Sequence, residues 1–260
     1  MVLIKLRRIK TPVIFIQYSL IFFIGCKPAF KIQKTEQVEY IFSDTLNNET
    51  DSSVISYIIP YKEKMLQTMS DVLAESEFAM EKGNPEGVLG NFVSDACMQE
   101  AAKIFYPTDG RQADFAFLNN GGLRRPLPKG KITRMDVFEL MPFENELVVL
   151  KINGDVVKLI FNFIASTDGG PVSGARFRIK DKKAIDIIIQ NEPLDTTRSY
   201  SVLTSDYLAN GGDSFEMIVD AKREAVNLKV RDAIIRCLEV FGNDGKIISV
   251  KTDGRISYAK

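Results

Sequence analysis

Between residues 86 and 104 the apolar positions Leu89, Phe92, Val93, Ala96, Cys97, Ala101 and Ile104 fall three and four apart. That spacing predicts a helix with one buried face. Cys97 lies on the apolar stripe and is expected to be a buried, unreactive thiol. The same period recurs in Val156, Leu159, Ile160, Phe163 and Ile164, after Asn153-Gly154. It recurs again in Val226, Val230, Ile234, Cys237 and Phe241, read as one long final helix that Gly242 ends. Thr133 is placed to cap a short helix through Leu140. Pro60 is expected to break the stretch Ile55–Met69 and leave a short helix at Tyr61–Met69. Alternating or short apolar runs predict strands at Ser70–Glu75, Asp114–Leu118, Glu146–Ile152, Ala175–Ile179, Ala184–Gln190 and Ser199–Thr204, with an edge strand at Arg255–Tyr258. Strands interleaved irregularly with helices, without an internal repeat, predict an α+β fold, a mixed sheet with packed helices.

The N-terminus follows another pattern. Lys5, Arg7, Arg8 and Lys10 precede an apolar run from Val13 to Ile24, and Gly25-Cys26 follows. This reads as a signal peptide over residues 1–25, too short for a comfortable spanning helix. Phe-Ile-Gly-Cys resembles a bacterial lipobox, which implies lipidation of Cys26. The other reading is a plain signal anchor with an incidental cysteine. Residues 26–53 are polar and read as a lipidated tether with one short strand candidate at Val38–Phe42, leaving residues 54–260 as the folded domain. Lys27, directly after the cysteine, argues for the periplasmic face of the outer membrane in a bacterial cell envelope, a step that rests on bacterial sorting.

Apolar content of 45% and charged content of 26% are those of an ordinary globular protein. The first 25 residues hold four basic side chains and no acid, so the remainder carries 30 basic against 34 acidic residues, a net of −4. No basic field of the kind that binds a nucleic acid polymer is present. Three cysteines do not suggest a disulfide framework, and the chain contains no histidine.

The most specific signal is the stretch FAFLNNGGLRRPLPKGKITRMDVFELMPFEN at residues 115–145. An apolar strand breaks into Asn119-Asn120-Gly121-Gly122, two arginines follow, and a second break comes at Met141-Pro142-Phe143. Asn-x-Gly-Gly-Leu-Arg followed by Pro-Phe-x-Asn, and then Ser205-Asp-Tyr-Leu-Ala-Asn-Gly-Gly-Asp-Ser-Phe, resembles the C-terminal, substrate-binding domain of 5′-nucleotidases. The earlier Glu86-Gly-Val-Leu-Gly-Asn-Phe-Val-Ser-Asp-Ala is similar to that family's opening of a tightly packed helix, with Gly90 and Asn91 at the close approach. The likeness runs from about Val72 to Met217 and implies that family's fold.

It also implies a ligand. A nucleotide offers a flat base, a cis-diol and phosphate, and a base is held best between two aromatic faces at about 1–3 kcal/mol per stack. By resemblance Phe143 and Tyr207 form that clamp, with Tyr where the family usually has Phe, and Asp213 anchors the ribose diol. Asn119 and Asn145 are assigned polar contacts with base or sugar, Gly121 and Gly122 the close backbone approach, and Arg124 the phosphate side. Gly169 and Gly170 are expected to line the same pocket. Asn120 stands where the family has its first glycine. The family's upstream arginine has no counterpart, because Met80-Glu81-Lys82-Gly83-Asn84-Pro85 occupies that region and Lys82 lacks a bidentate fork.

Family enzymes hydrolyse the ester in a separate metallophosphoesterase domain whose histidines hold two metals. With no histidine here, no catalytic residue is assigned and no cofactor is expected on this chain, divalent metals being expected only in a partner. The resemblance therefore suggests a nucleotide-recognition half acting with a separately encoded metallophosphoesterase subunit. The alternatives are a stand-alone nucleotide- or nucleoside-binding lipoprotein without catalysis, or an interaction protein whose pocket has lost its ligand.

Overall fold

A computed structural model describes residues 51–259. In chain order the elements are α1 (Ser52–Met69), β1 (Val72–Ser76), α2 (Val88–Ile104), β2 (Phe115–Phe117), β3 (Gly130–Thr133), α3 (Arg134–Leu140), β4 (Glu146–Asn153), α4 (Gly154–Ser166), β5 (Val172–Ser173), β6 (Ala175–Lys180), β7 (Lys183–Ile189), β8 (Glu192–Pro193), β9 (Ser199–Ser205), α5 (Asp206–Ala209), β10 (Lys222–Lys229), α6 (Val230–Asn243), β11 (Ile247–Ile248) and β12 (Ile256–Tyr258). Short 3₁₀ turns at Asn120–Gly122, Gly212–Ser214 and Glu216–Ile218 punctuate the loops. The fold is α+β with mixed sheets and packed helices. Its strands form three sheets, of which the five-stranded one, β10-β4-β9-β2-β5, is central.

Period-two alternation explains how that sheet is covered on both faces. Ala116, Leu147, Val149 and Leu203 turn into one apolar cluster with α2, α6 and β1. Their neighbours Phe115, Phe117, Val148, Leu150 and Val202 turn into a second cluster with α4 and the β6–β7 hairpin. A strand buried on both faces loses its polar alternation, which is why Phe115–Phe117 reads as a continuous apolar run. The first turn of α2 packs on Pro171 at Gly90, where an added Cβ would sit at ordinary contact distance, 3.4 Å.

Several expectations need correction. The helix before β1 begins at Ser52 and contains Pro60. The carbonyl deprived of its partner by Pro60 belongs to exposed Ser56, where water can serve it. Val226 is in strand β10, alternating with Leu228 toward the core, and the last helix starts four residues later at Val230. The four-residue spacing of Val226 and Val230 imitates a helical stripe across a strand-to-helix junction. Gly242 lies inside α6, where an added Cβ would meet the Leu73 carbonyl oxygen at 2.1 Å. Its role is close packing on β1. The helix ends at Asn243 and is closed by Gly245, φ +65°, with Lys246 N–H donating to the Phe241 carbonyl and Gly245 N–H to that of Gly242. Thr133 does cap α3, reciprocally with Asp136. Cys97 and Cys237 are both buried free thiols; burial pushes the first well above the ordinary range and the second up to about 11. Cys26 and Val38–Phe42 lie outside the described residues.

Candidate functional site

Strand pairing brings three loops to one edge of the central sheet. β2 and β9 are parallel neighbours, so their C-terminal ends, leading to Asn119 and Asp206, emerge side by side. β4 runs antiparallel to β9 with Leu147 opposite Ser205, so the residues leading into β4, Phe143 to Asn145, arrive at the same edge. Asn119, Gly121, Gly122, Arg124, Phe143, Asn145, Tyr207 and Asp213 together line a single open cleft of about 240 Å³. These are the eight residues singled out from the sequence.

Each loop is shaped by local chemistry. Gly122 N–H donates to the Asn119 carbonyl in the turn after β2, and an added Cβ on Gly122 would crowd Asn119 Oδ1 at 3.0 Å. Ser205 Oγ caps α5 by accepting from Leu208 N–H. Tyr207 therefore sits in a short helix, two residues beyond the end of the strand. The chain then passes directly beneath its ring: Gly212 has φ in the ordinary range, yet a Cβ there would lie 2.5 Å from two ring carbons. Asp213 follows at φ 50°, ψ 33°, a left-handed conformation that Asp tolerates better than most residues.

Phe143 and Tyr207 expose 38% and 43% of their surface, so both rings present a face to solvent where core plugs would be sealed. The Asp213 carboxylate stands between the loops. One oxygen accepts from Asn119 Nδ2 at 2.6 Å and the other from the Tyr207 hydroxyl at 2.7 Å. That bond to the carboxylate, and then desolvation, raises the pKa of the Tyr207 phenol. Each Asp213 oxygen keeps lone pairs for further donors. Arg124 is exposed, makes one long bond to the Gly121 carbonyl at 3.4 Å, and forms no ion pair among the described residues. Neighbouring Arg125 is engaged with Glu139 at 2.6 Å.

Gly169 and Gly170 do not line this cleft. They border an adjoining hollow of about 280 Å³ with Phe163 and Phe215, which shares Asn119, Gly121 and Asp213 with the cleft. Gly169, φ +95°, is required by packing, since an added Cβ would collide with the Pro85 carbonyl oxygen at 1.9 Å. Lys82 is exposed and outside the cleft lining. Sequence reasoning missed Arg231, buried on the first turn of α6, which donates to the Phe143 carbonyl at 3.3 Å and pairs with Glu144. Nothing in its local pattern distinguishes it from a surface arginine. Among the described residues no group of three or more acidic or cysteine side chains gathers as a metal site.

The family model described as 5′-nucleotidase, C-terminal domain, matches residues 67–220, more than half of the chain. The chain belongs to that family. It is similar to the 5′-nucleotidase of Vibrio cholerae serotype O1, at 27% identity over 201 residues, 73% of this chain and 34% of that protein. It also resembles Protein UshA of Escherichia coli, at 33% identity over 132 residues, 48% of this chain and 24% of that one. Among solved structures, the 5′-nucleotidase precursor of Thermus thermophilus superposes with a TM-score of 0.65 at 24% identity, covering 79% of this chain and 43% of its own. That likeness establishes the fold. The chain spans about a third of the length of the Vibrio relative, and its matched segment is the C-terminal domain named by the family model.

Proposed function

We propose that this domain recognises a nucleoside or nucleotide in the cleft at the edge of the central sheet. The base is held between Phe143 and Tyr207, the ribose diol by Asp213 with Asn119, and phosphate by Arg124. The observation that carries this reading is the meeting of two half-exposed rings and a solvent-facing carboxylate from three loops in one cleft. The carboxylate needs two adjacent donors to fill its remaining lone pairs, and a cis-diol supplies them. The rings supply sequence-tolerant stacking of about 1–3 kcal/mol each. Arg124 is the one cation lining the cleft among the described residues, so base and ribose dominate affinity and phosphate adds less.

Hydrolysis in this reading is done elsewhere. The chain has no histidine, and we assign the metal-bound nucleophile to a separately encoded metallophosphoesterase that docks with this domain. We further propose export, cleavage before Cys26 and lipidation there, holding the domain at the cell envelope. Titration calorimetry with adenosine and AMP tests the recognition step: saturable binding of both supports it, and no heat with either sinks it. Phosphate release from AMP by the purified chain with added Mn²⁺ or Zn²⁺, at an enzyme-like rate, would overturn the division of labour. Saturable binding with no companion metallophosphoesterase encoded in the genome would favour a stand-alone binding lipoprotein.

A further inference from the structure

The ring of Phe143 is more than a third exposed, and it sits in a five-residue connection between α3 and β4. A ring so placed stacks well only if its backbone is held. The hold comes from the start of α6, some ninety residues later in the chain. The Arg231 guanidinium, whose side chain is only 7% exposed, donates to the Phe143 carbonyl at 3.3 Å and reaches the Met141 carbonyl at 3.5 Å. Its other terminal nitrogen pairs with Glu144, and its Cζ lies 4.2 Å from the centroid of the Phe138 ring. Lys229 pairs with the second Glu144 oxygen, and Val230 N–H donates to the Asn145 carbonyl at 2.9 Å. Met141, Phe143, Glu144 and Asn145 are thus all tied to Lys229, Val230 and Arg231, the N-cap and first turn of α6. Arg231 Nε has no hydrogen-bond partner, so every hydrogen bond of the buried group goes to residues 141–144.

We propose that Arg231 is the positioning residue of the ligand cleft: it fixes the pitch of the Phe143 ring without itself lining the cleft. The planar fork matters more than the charge, because a lysine has no two separate nitrogens with which to bond the backbone carbonyls and the carboxylate at once. The inference rests on Phe143 being the base-stacking face.

The chain contains no tryptophan, so Phe143→Trp places a single fluorescent reporter at the ring. In that background Arg231→Lys should lower the steady-state anisotropy of the introduced indole and leave the unfolding transition cooperative. With Phe143 restored, Arg231→Lys should weaken adenosine binding about 5-fold, and in a Phe143→Ala background it should weaken it no further, the non-additivity of residues acting through one another. Glu144→Gln, on an exposed side chain, repeats the test with a variant that leaves the buried guanidinium in place and should move both readouts the same way but less. Unchanged anisotropy in both variants overturns the proposal, as does an affinity loss that is equal with and without Phe143→Ala. If the unaltered protein binds no adenosine, the recognition reading fails; the anisotropy comparison still decides whether Arg231 holds the ring.

Discussion

Two segments of this chain carry family-like motifs, and their polar side chains have opposite fates. In the first, Glu86 to Asp95, the side chains are consumed internally. Glu86 accepts from Asn91 Nδ2 at 2.6 Å and from the backbone N–H groups of Asp253 and Gly254 at 2.8 and 3.0 Å. Asp95 receives both arms of Arg255 at 2.8 and 2.9 Å, while Arg255 also donates to the Val172 carbonyl. Together they bind the C-terminal strand β12 to the front of α2. In the second, Asn119 to Asn145 with Tyr207 and Asp213, the polar groups bond mostly one another and leave faces and lone pairs turned to solvent. Similar residue types thus serve stability where their bonding capacity is filled by the fold, and recognition where it is left open. Substitutions in the two segments should therefore separate cleanly into stability effects and binding effects.

The largest expected effect is on the stability side. Asp95→Ala leaves the Arg255 side chain, only 13% exposed, without its bidentate partner but still paired with Asp253. Losing the bidentate, charge-assisted bonds of a largely buried guanidinium should cost about 2–3 kcal/mol, read as a lower urea midpoint at unchanged slope, with adenosine affinity retained. A variant as stable as the parent would break the comparison from that side.

Phe143→Ala and Asp213→Ala test the other side. Losing one stacking face should cost about 1–3 kcal/mol of adenosine binding, seen by calorimetry as at least a several-fold weaker Kd. Removing the carboxylate should cost a similar amount through lost charge-assisted hydrogen bonds, about 1–3 kcal/mol. Phe143 is exposed, so its urea midpoint should barely move, whereas Asp213→Ala should lower stability modestly, by about 1 kcal/mol, because alanine tolerates the left-handed backbone at φ 50° less well than Asp. Unchanged adenosine affinity in both variants would mean that the cleft is not the nucleoside site.

Arg124→Ala is a finer cut. Its guanidinium makes no ion pair within the described chain, so its loss should leave stability alone and weaken AMP by about 1 kcal/mol more than adenosine, only AMP having the group it would hold. Equal losses for the two ligands would move phosphate away from Arg124.

These differences bear on what a sequence can disclose. Helix α2, α4 and most strands were legible because their apolar period survives burial, and the eight cleft residues were legible because turns after β2 and β9 carry their chemistry in short contiguous motifs. What escaped was decided by distant partners. Gly242 looks like a helix terminator until Leu73 is found pressed against it, and Val226 joins a helical stripe until β4 is found beside it. Gly169 and Gly170 border the next hollow, which shares Asn119, Gly121 and Asp213 with the cleft, and no local motif tells the two spaces apart. Arg231 has no local signature because its partners lie some ninety residues earlier.

The smallest effect concerns the boundary between the two kinds of segment, where Glu144 is an exposed residue held for the sake of a neighbour. Its carboxyl is drawn down to about 2, first by the bond from Lys229 and then by that from Arg231, and the pairing raises the Lys229 ammonium in turn. A carboxyl whose folded pKa lies below its unfolded value contributes stability that is fully present above the ordinary value of about 4.5 and is lost as pH falls toward 2. Solvent screening keeps the contribution small, since the Glu144 side chain is 63% exposed. Glu144→Gln should therefore lower the urea midpoint slightly at about pH 6, and the gap from the parent should close as the pH is taken from 4.5 toward 2. In about 0.5 M salt that gap should shrink as well, because an exposed pair is screened (about 10 Å Debye length at 0.1 M, shorter above). A gap that persists unchanged at about pH 2 would assign the effect to lost packing of the glutamate and remove the ionic grip on residues 141–145 from the comparison.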